Sequence, residues 1–286
     1  MSKADVNSMS TPERRFGLKV LAAPGGITLL VGLLLPLVLV IKDSIWLPDL
    51  SIEAYVAVLG DPVVIGALMR TFVIAAMVTL LSIAGGYLVA LTAWNSRPAM
   101  AGIVLLVASS PILTSVVMRN FAWTIILGRN GPLNGILLAI GAIDQPLAYL
   151  NSVPAVVVGM FHVMLPFAVL PIYNALRRID PVLLRASAAA GASSFTTFRR
   201  VTLPLSAPGG VVAGVFVFVL SLGFFVTPAL LGGPANSMIA NVIDKEANSY
   251  LAFDKAAAAA VILLAVVVLL LAVVAKRFDV SRVFRG

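Results

Sequence analysis

One histidine, no cysteine and twelve dispersed carboxylates are all this 286-residue sequence offers for acid–base, nucleophilic or metal chemistry. His162 stands in an apolar run with no cysteine or carboxylate near it, so its neighbours suggest neither a triad nor a metal cage. No Gly-x-x-x-x-Gly-Lys-Ser/Thr run occurs, so this chain supplies no Walker-type phosphate loop. The absence of cysteine removes disulfides and is neutral about compartment. What remains is non-covalent chemistry inside apolar stretches. Ser110, Thr114, Ser115, Arg119, Asn120, Trp123, His162 and Ser221, with the aromatic Phe225, are the candidates for lining an internal polar path, joined by Ser109 and Thr227. Polar groups are costly in a membrane span and usually face a bundle interior. Each has a plainer reading as well. Serine and threonine bond their own helix backbone. Arg119 can snorkel, or neutralise a helix C-terminus, and that structural role is the favoured one. His162 and Phe225 can simply pack.

The elements that must carry these residues follow from composition. The chain is 60% apolar and only 11% charged, against about a quarter charged in soluble domains. It reads as an all-α polytopic membrane protein with no separate soluble domain. Apolar runs at 21–41, 67–93, 101–127, 153–176, 209–231 and 255–275 are each long enough to span a bilayer. The first is too long for the apolar region of a signal peptide and no small-residue cleavage site follows, so it is read as a retained span. Short helices are expected at 52–59 and 133–140, and polar loops at 128–152 and 232–254. Gly85, Gly86, Gly210 and Gly214 would let spans approach closely. Trp46 and Trp94 mark membrane interfaces. With the N-terminus inside, 14 of the 20 Lys and Arg residues fall on the cytoplasmic side and 6 on the other, the bias the positive-inside rule demands. Six transmembrane helices with both termini cytoplasmic are expected, with an N-terminal segment at 1–19, a six-helix transmembrane body at 20–276 and a tail at 277–286. The net charge of +8 follows from this sidedness and does not indicate nucleic-acid binding.

One stretch, 181–209, is polar where its surroundings are not, and Arg177, Arg178, Arg185, Arg199 and Arg200 cluster in and beside it. Residues 182–190 read as a short helix of good formers. Gly191 then permits a turn with positive φ that a side chain cannot enter. Residues 194–201 read as a second short helix, and Pro204 and Pro208 restart the chain into the next span.

The spacing Gly191, nine residues, Val201, one residue, Leu203-Pro204 resembles the cytoplasmic loop of permease subunits of ABC importers. That family's pattern is Glu-Ala-Ala, three residues, Gly, nine residues, Ile, one residue, Leu-Pro. Here the triplet falls on Arg185-Ala186-Ser187, so arginine and serine stand where the family has glutamate and alanine. The stretches RNFAWTIILGRNGPLN (119–134) and LPFAVLPIYNALRRID (165–180) are similar to the spermidine/putrescine permease subgroup. The resemblance implies a type I importer permease fold with cytoplasmic coupling helices in the loop 177–208. Arg185, Ala186, Ser187, Gly191, Ala192, Val201, Leu203 and Pro204 would meet an ATPase. It further implies two cytoplasmic ATPase subunits carrying ATP and Mg, a second and non-identical permease chain, an extracytoplasmic solute-binding protein, and a multi-pass place in the bacterial inner membrane.

The cargo implied is a polyamine, yet no Asp or Glu lies in the core of any span. A polycation crossing a dry cavity needs compensating charge or dipoles. A partner chain could supply carboxylates, aromatic faces could supply cation–π contacts, or the solute could be an amino acid, an opine-like compound or a phosphonate. Two other classes stand as alternatives. An ion-driven secondary transporter usually needs an ionisable relay in the membrane, and the carboxylate-free spans argue against it. A purely structural subunit would leave the loop from Gly191 to Pro204 without a purpose.

Overall fold

In the computed structural model, residues 12–45 and 52–277 are described. The expectations for 1–11, for Trp46 and for 278–286 lie outside the described residues. Among those described, every regular element is helical. They run α1 (Pro12–Ile45), α2 (Glu53–Gly60), α3 (Pro62–Trp94), α4 (Pro98–Leu113), α5 (Val116–Ile126), α6 (Pro132–Ala139), α7 (Val153–Arg177), α8 (Pro181–Ala189), α9 (Ser194–Thr197), α10 (Leu203–Leu222), α11 (Ile239–Asn248) and α12 (Phe253–Arg277). Five runs are long and apolar enough to cross a membrane: Thr28–Ile45, α3, α7, Ser194–Leu222 and Phe253–Val273. The count reaches six if α4 and α5, bent by 100° at a short break, are taken together as one span.

Local chemistry sets the helix starts. The Asp61 carboxylate accepts from Val63 N at 2.7 Å, and Ser152 Oγ accepts from Ala155 N at 3.3 Å. A proline follows each cap in the first turn, where a missing N–H is no loss.

Three expectations change. The third span, 101–127, is not one rod: α4 and α5 meet at 100°. Pro111 lacks an N–H and crowds the turn before it, and Thr114 leaves the helix with φ −106° and ψ 148°. The fifth span is shifted from 209–231 to an earlier start and an earlier end. The second short helix does not stop at Pro204; it widens into a π-type turn over Phe198–Thr202 and continues as α10. The Pro204 ring would collide with the carbonyl four residues before it in a tight α-helix. Widening that turn, with Leu203 N bonding Phe198 O, moves the carbonyl aside. α10 then ends at Leu222, and Pro228 lies in a separate turn, Pro228–Gly232. Finally, 232–254 is not all loop, because it holds α11, whose Ile239 and Val242 are buried.

α7 is the central helix, packed on α3, α10 and α4. Ile74, Met160, Met164, Ile172 and Leu176 are fully buried there. Small residues set the spacing, as expected. A Cβ on Gly86 would lie 2.9 Å from Ala168 Cβ, and one on Gly210 would lie 3.0 Å from the Tyr87 hydroxyl. Within lipid such close backbone packing takes over the role that water exclusion plays in soluble cores. A second cluster joins α2, the start of α3, α11 and α12 through Ala54, Val58, Ala67, Ile239 and Ala258. Thr71 Oγ1 ties it to α3, accepting from Ile239 N at 2.8 Å. At the loops, buried Asn134 bonds both backbone groups of Leu147 at 2.9 Å. Asn236 donates to Asn151 O at 2.8 Å.

Candidate functional site

The arginine-rich turn is built from two capped helix ends. The Asp180 carboxylate accepts from Val182 N at 2.8 Å and starts α8, none of whose residues is buried. Its other end closes on itself: Gly191 N donates to Ala188 O at 2.9 Å and Ala192 N to Ser187 O at 3.1 Å. That pair of bonds is a Schellman cap, and it places Gly191 at φ +77°. The expected positive φ is therefore present. The reason for glycine differs from the expectation, because nothing lies within 4 Å of a Cβ built there. The turn has room for a side chain; the left-handed backbone is what disfavours one.

Ser193 restarts the chain, its Oγ accepting from Thr196 N at 3.2 Å. Ser187 Oγ bonds Thr197 Oγ1 at 2.8 Å and fastens α8 to α9. An alanine at 187 could not make that bond. Arg185, Ala186, Arg199 and Arg200 are exposed, as are Leu203 and Pro204; Ser187, Ala192 and Val201 are half-buried. A groove of about 630 Å³ runs between the end of α3 and this turn, with Trp94, Leu184, Phe195 and Phe198 among its walls. Phe195 is 71% exposed. The groove is a feature that sequence reasoning missed: Trp94 lies about a hundred residues away, and only the fold brings it there.

The path candidates divide into three groups. Ser110, Thr114 and Ser115 are exposed at the α4–α5 break. Arg119 folds back over it, donating to the carbonyl of Pro111, to Thr114 O at 2.7 Å and to Thr114 Oγ1 at 3.0 Å. It neutralises the C-terminal end of α4, in keeping with the structural role favoured from sequence. A second group joins α5 to α7 on successive turns. Buried Asn120 donates to its own helix at Val116 O, 2.8 Å away. Its Oδ1 would lie 3.9 Å from a Cβ on Gly159. One turn on, Trp123 Nε1 donates to His162 Nδ1 at 3.3 Å, with the rings edge to face at 5.8 Å. In this contact His162 Nδ1 is the acceptor. Gly159 is the pinch point: a Cβ there would also meet Leu231 Cδ1 at 2.6 Å and Thr227 Cγ2 at 2.8 Å. The third group meets the second only through Thr227, which packs on Gly159. Ser221 and Thr227 are fully buried with no hydrogen-bond partner for their hydroxyls, and Phe225 is 39% exposed. Asn120 and Ser221 thus sit in helix contacts and line no open surface.

Among the described residues the chain is thus a helical bundle with one sharply bent helix pair and an exposed, capped helix–glycine–helix turn. The chain belongs to the family of binding-protein-dependent transport system inner membrane components, which it matches over residues 27–282. It is thus a multi-pass bacterial inner-membrane component that moves a solute and is not itself an enzyme.

Among relatives, it is similar to the spermidine/putrescine transport system permease protein PotB of Haemophilus influenzae, 30% identical over 197 residues, 69% of this chain and 68% of that protein. PotB of Escherichia coli is 32% identical over 183 residues, 64% of this chain and 66% of that one. The inner membrane ABC transporter permease protein YdcU of E. coli is 32% identical over 211 residues, covering 68% and 66%. The chain spans about two thirds of the length of these relatives. In fold it resembles a chain of a bacterial ABC transporter involved in import of the acidic polysaccharide alginate, with a TM-score of 0.76 at 20% identity over 94% of this chain and 96% of that one.

Proposed function

We propose that this chain is one permease subunit of an ATP-driven importer for a small organic solute, with a polyamine of the spermidine or putrescine kind as cargo. The PotB relatives support the cargo. The observation that carries the mechanism is the unbroken helix Ser194–Leu222, which joins the exposed turn to the middle of the bundle. A push on α8 and α9 is transmitted as tilt of α10, because neither Pro204 nor Pro208 breaks the rod. Two cytoplasmic ATPase subunits, holding ATP and Mg, deliver that push by closing. One of them contacts Arg185, Ala186, Ser187, Gly191 and Ala192, with Val201, Leu203 and Pro204 transmitting it. The bundle then passes between two rigid-body states, open to one side or the other. A solute-binding protein delivers cargo on the opposite face, and a second, non-identical permease completes the pathway. This reading puts both termini on the ATPase side, which the Lys and Arg asymmetry supports.

Co-purification tests the assembly: an ATPase retained by this chain supports the reading, and a chain that transports alone sinks it. Calorimetry on the partner solute-binding protein tests the cargo, with putrescine, spermidine, amino acids and phosphonates as ligands. Binding of a polyamine supports it; binding of another solute alone removes it. One observation favours that second outcome: α3, α4, α5, α7 and α10 hold no Asp or Glu, while Arg119 adds a positive charge.

A further inference from the structure

The break between α4 and α5 offers a cation what carboxylates would otherwise have to supply. The last carbonyls of α4 have no partner within their own helix. Pro111 O, Thr114 O and Thr114 Oγ1 are gathered around one guanidinium, that of Arg119. Thr114 Oγ1 also donates to Pro111 O at 3.2 Å, which holds the oxygens together. α4 has 16 residues, so at 1.5 Å per residue the cluster lies about 24 Å from the helix start, past the midpoint of a core roughly 30 Å thick and toward its far side. The cluster is open on one side, since Ser110, Thr114 and Ser115 are exposed and Arg119 is half-buried.

We propose that this oxygen cluster is a cation-binding site that Arg119 fills between transport cycles, and that an ammonium group of the cargo takes the place of the guanidinium. The inference rests on the polyamine reading above. A primary ammonium carries three donors, matching three oxygens. Exchanging one cation for another leaves the buried charge unchanged, so the cargo need not bring a counter-charge into a carboxylate-free span. The displaced Arg119 swings its long stem toward water.

The chain has no cysteine, so Arg119→Cys places a single thiol at the site. The assembled importer carrying this variant is treated in proteoliposomes with aminoethyl, sulfonatoethyl or methyl methanethiosulfonate. These attach an ammonium, an anion or a neutral group. By refilling the site, the ammonium reagent alone should raise the KM for putrescine, by about tenfold, the equivalent of one charge-assisted hydrogen bond. Putrescine should also slow its attachment, read from the mass of the chain. An equal rise in KM with the methyl reagent overturns the cation site, and attachment indifferent to putrescine overturns the exchange. Where Arg119→Cys does not assemble, Arg119→Lys carries the test. Its weaker grip should lower the KM for putrescine, and an unchanged KM overturns the exchange. Wild-type uptake is measured first. If no polyamine is moved, the cargo reading fails by itself, and the thermal stability of Arg119→Cys with each reagent still decides the cation site.

Discussion

α8 ends at Ala189 with Gly191 at φ +77°, while α4 ends at Leu113 with Arg119 folded back across its last carbonyls. Both ends leave acceptors without intrahelical partners. At α8 the backbone closes on itself, and any carbonyl left over faces water. At α4 the end falls inside a span, where an orphan carbonyl costs several kcal/mol in order of magnitude. A tight turn suffices in the first setting. The second demands donors, and a guanidinium supplies several from one residue. The difference shows why a membrane chain spends an arginine in the middle of a helix pair and a glycine at its exposed surface.

Removing the donors should have the largest effect. Arg119→Leu leaves Pro111 O and Thr114 O without their donor, at a cost of about 1–3 kcal/mol, carried mainly by the part-buried Pro111 carbonyl. The expected outcome is a marked fall in melting temperature of the purified complex, and an unchanged Tm would remove the contrast. Next, Gly191→Val forces a β-branched residue into the left-handed region, costing about 2 kcal/mol, with Gly191→Ala nearer 1. The chain should still insert while ATP hydrolysis and uptake come apart. Because the space there is open, a valine variant that transports normally would show that the αL conformation is dispensable.

A smaller loss separates the two sites further. Trp123→Phe keeps the edge-to-face packing on His162 and deletes the N–H donor, at about 1 kcal/mol. A small loss of stability with intact ATPase retention is expected. Ser187→Ala, which removes the bond to Thr197, should cost about 0.5–1 kcal/mol and loosen ATPase retention slightly. Arg185→Glu sharpens the same point, since Arg185 is exposed. Weakened co-purification of the ATPase would mark it as a contact, and unchanged co-purification would mark it as a tolerated surface residue.

Much of this was legible in the residues. The apolar runs located the spans, because a helix that satisfies its own backbone is the simplest way for a single chain to cross lipid. Gly191 and the caps at Asp180 and Ser193 were local, so spacing revealed the turn. The course of the third span was not legible. Ser109, Ser110, Pro111, Thr114 and Ser115 announce an interruption, but a proline can kink, end or merely strain a helix, and the surroundings choose. The continuity through Pro204 was hidden for the same reason. Its ring forbids a tight turn, and only the packing of α10 on α7 and α3 makes a widened turn preferable to a stop.

By itself, then, the chain's order determined which segments are apolar, where the arginine-rich turn lies, and that no carboxylate sits in the middle of a span. Those properties are local or compositional. Tertiary structure alone decided that Arg119 meets Pro111 across a 100° bend, that Trp123 meets His162, and that Gly159 is pinched by Thr227 and Leu231. These pairings depend on the angles at which helices cross. The crossings are set by how many side chains fit together at once, a quantity no single stretch of residues contains.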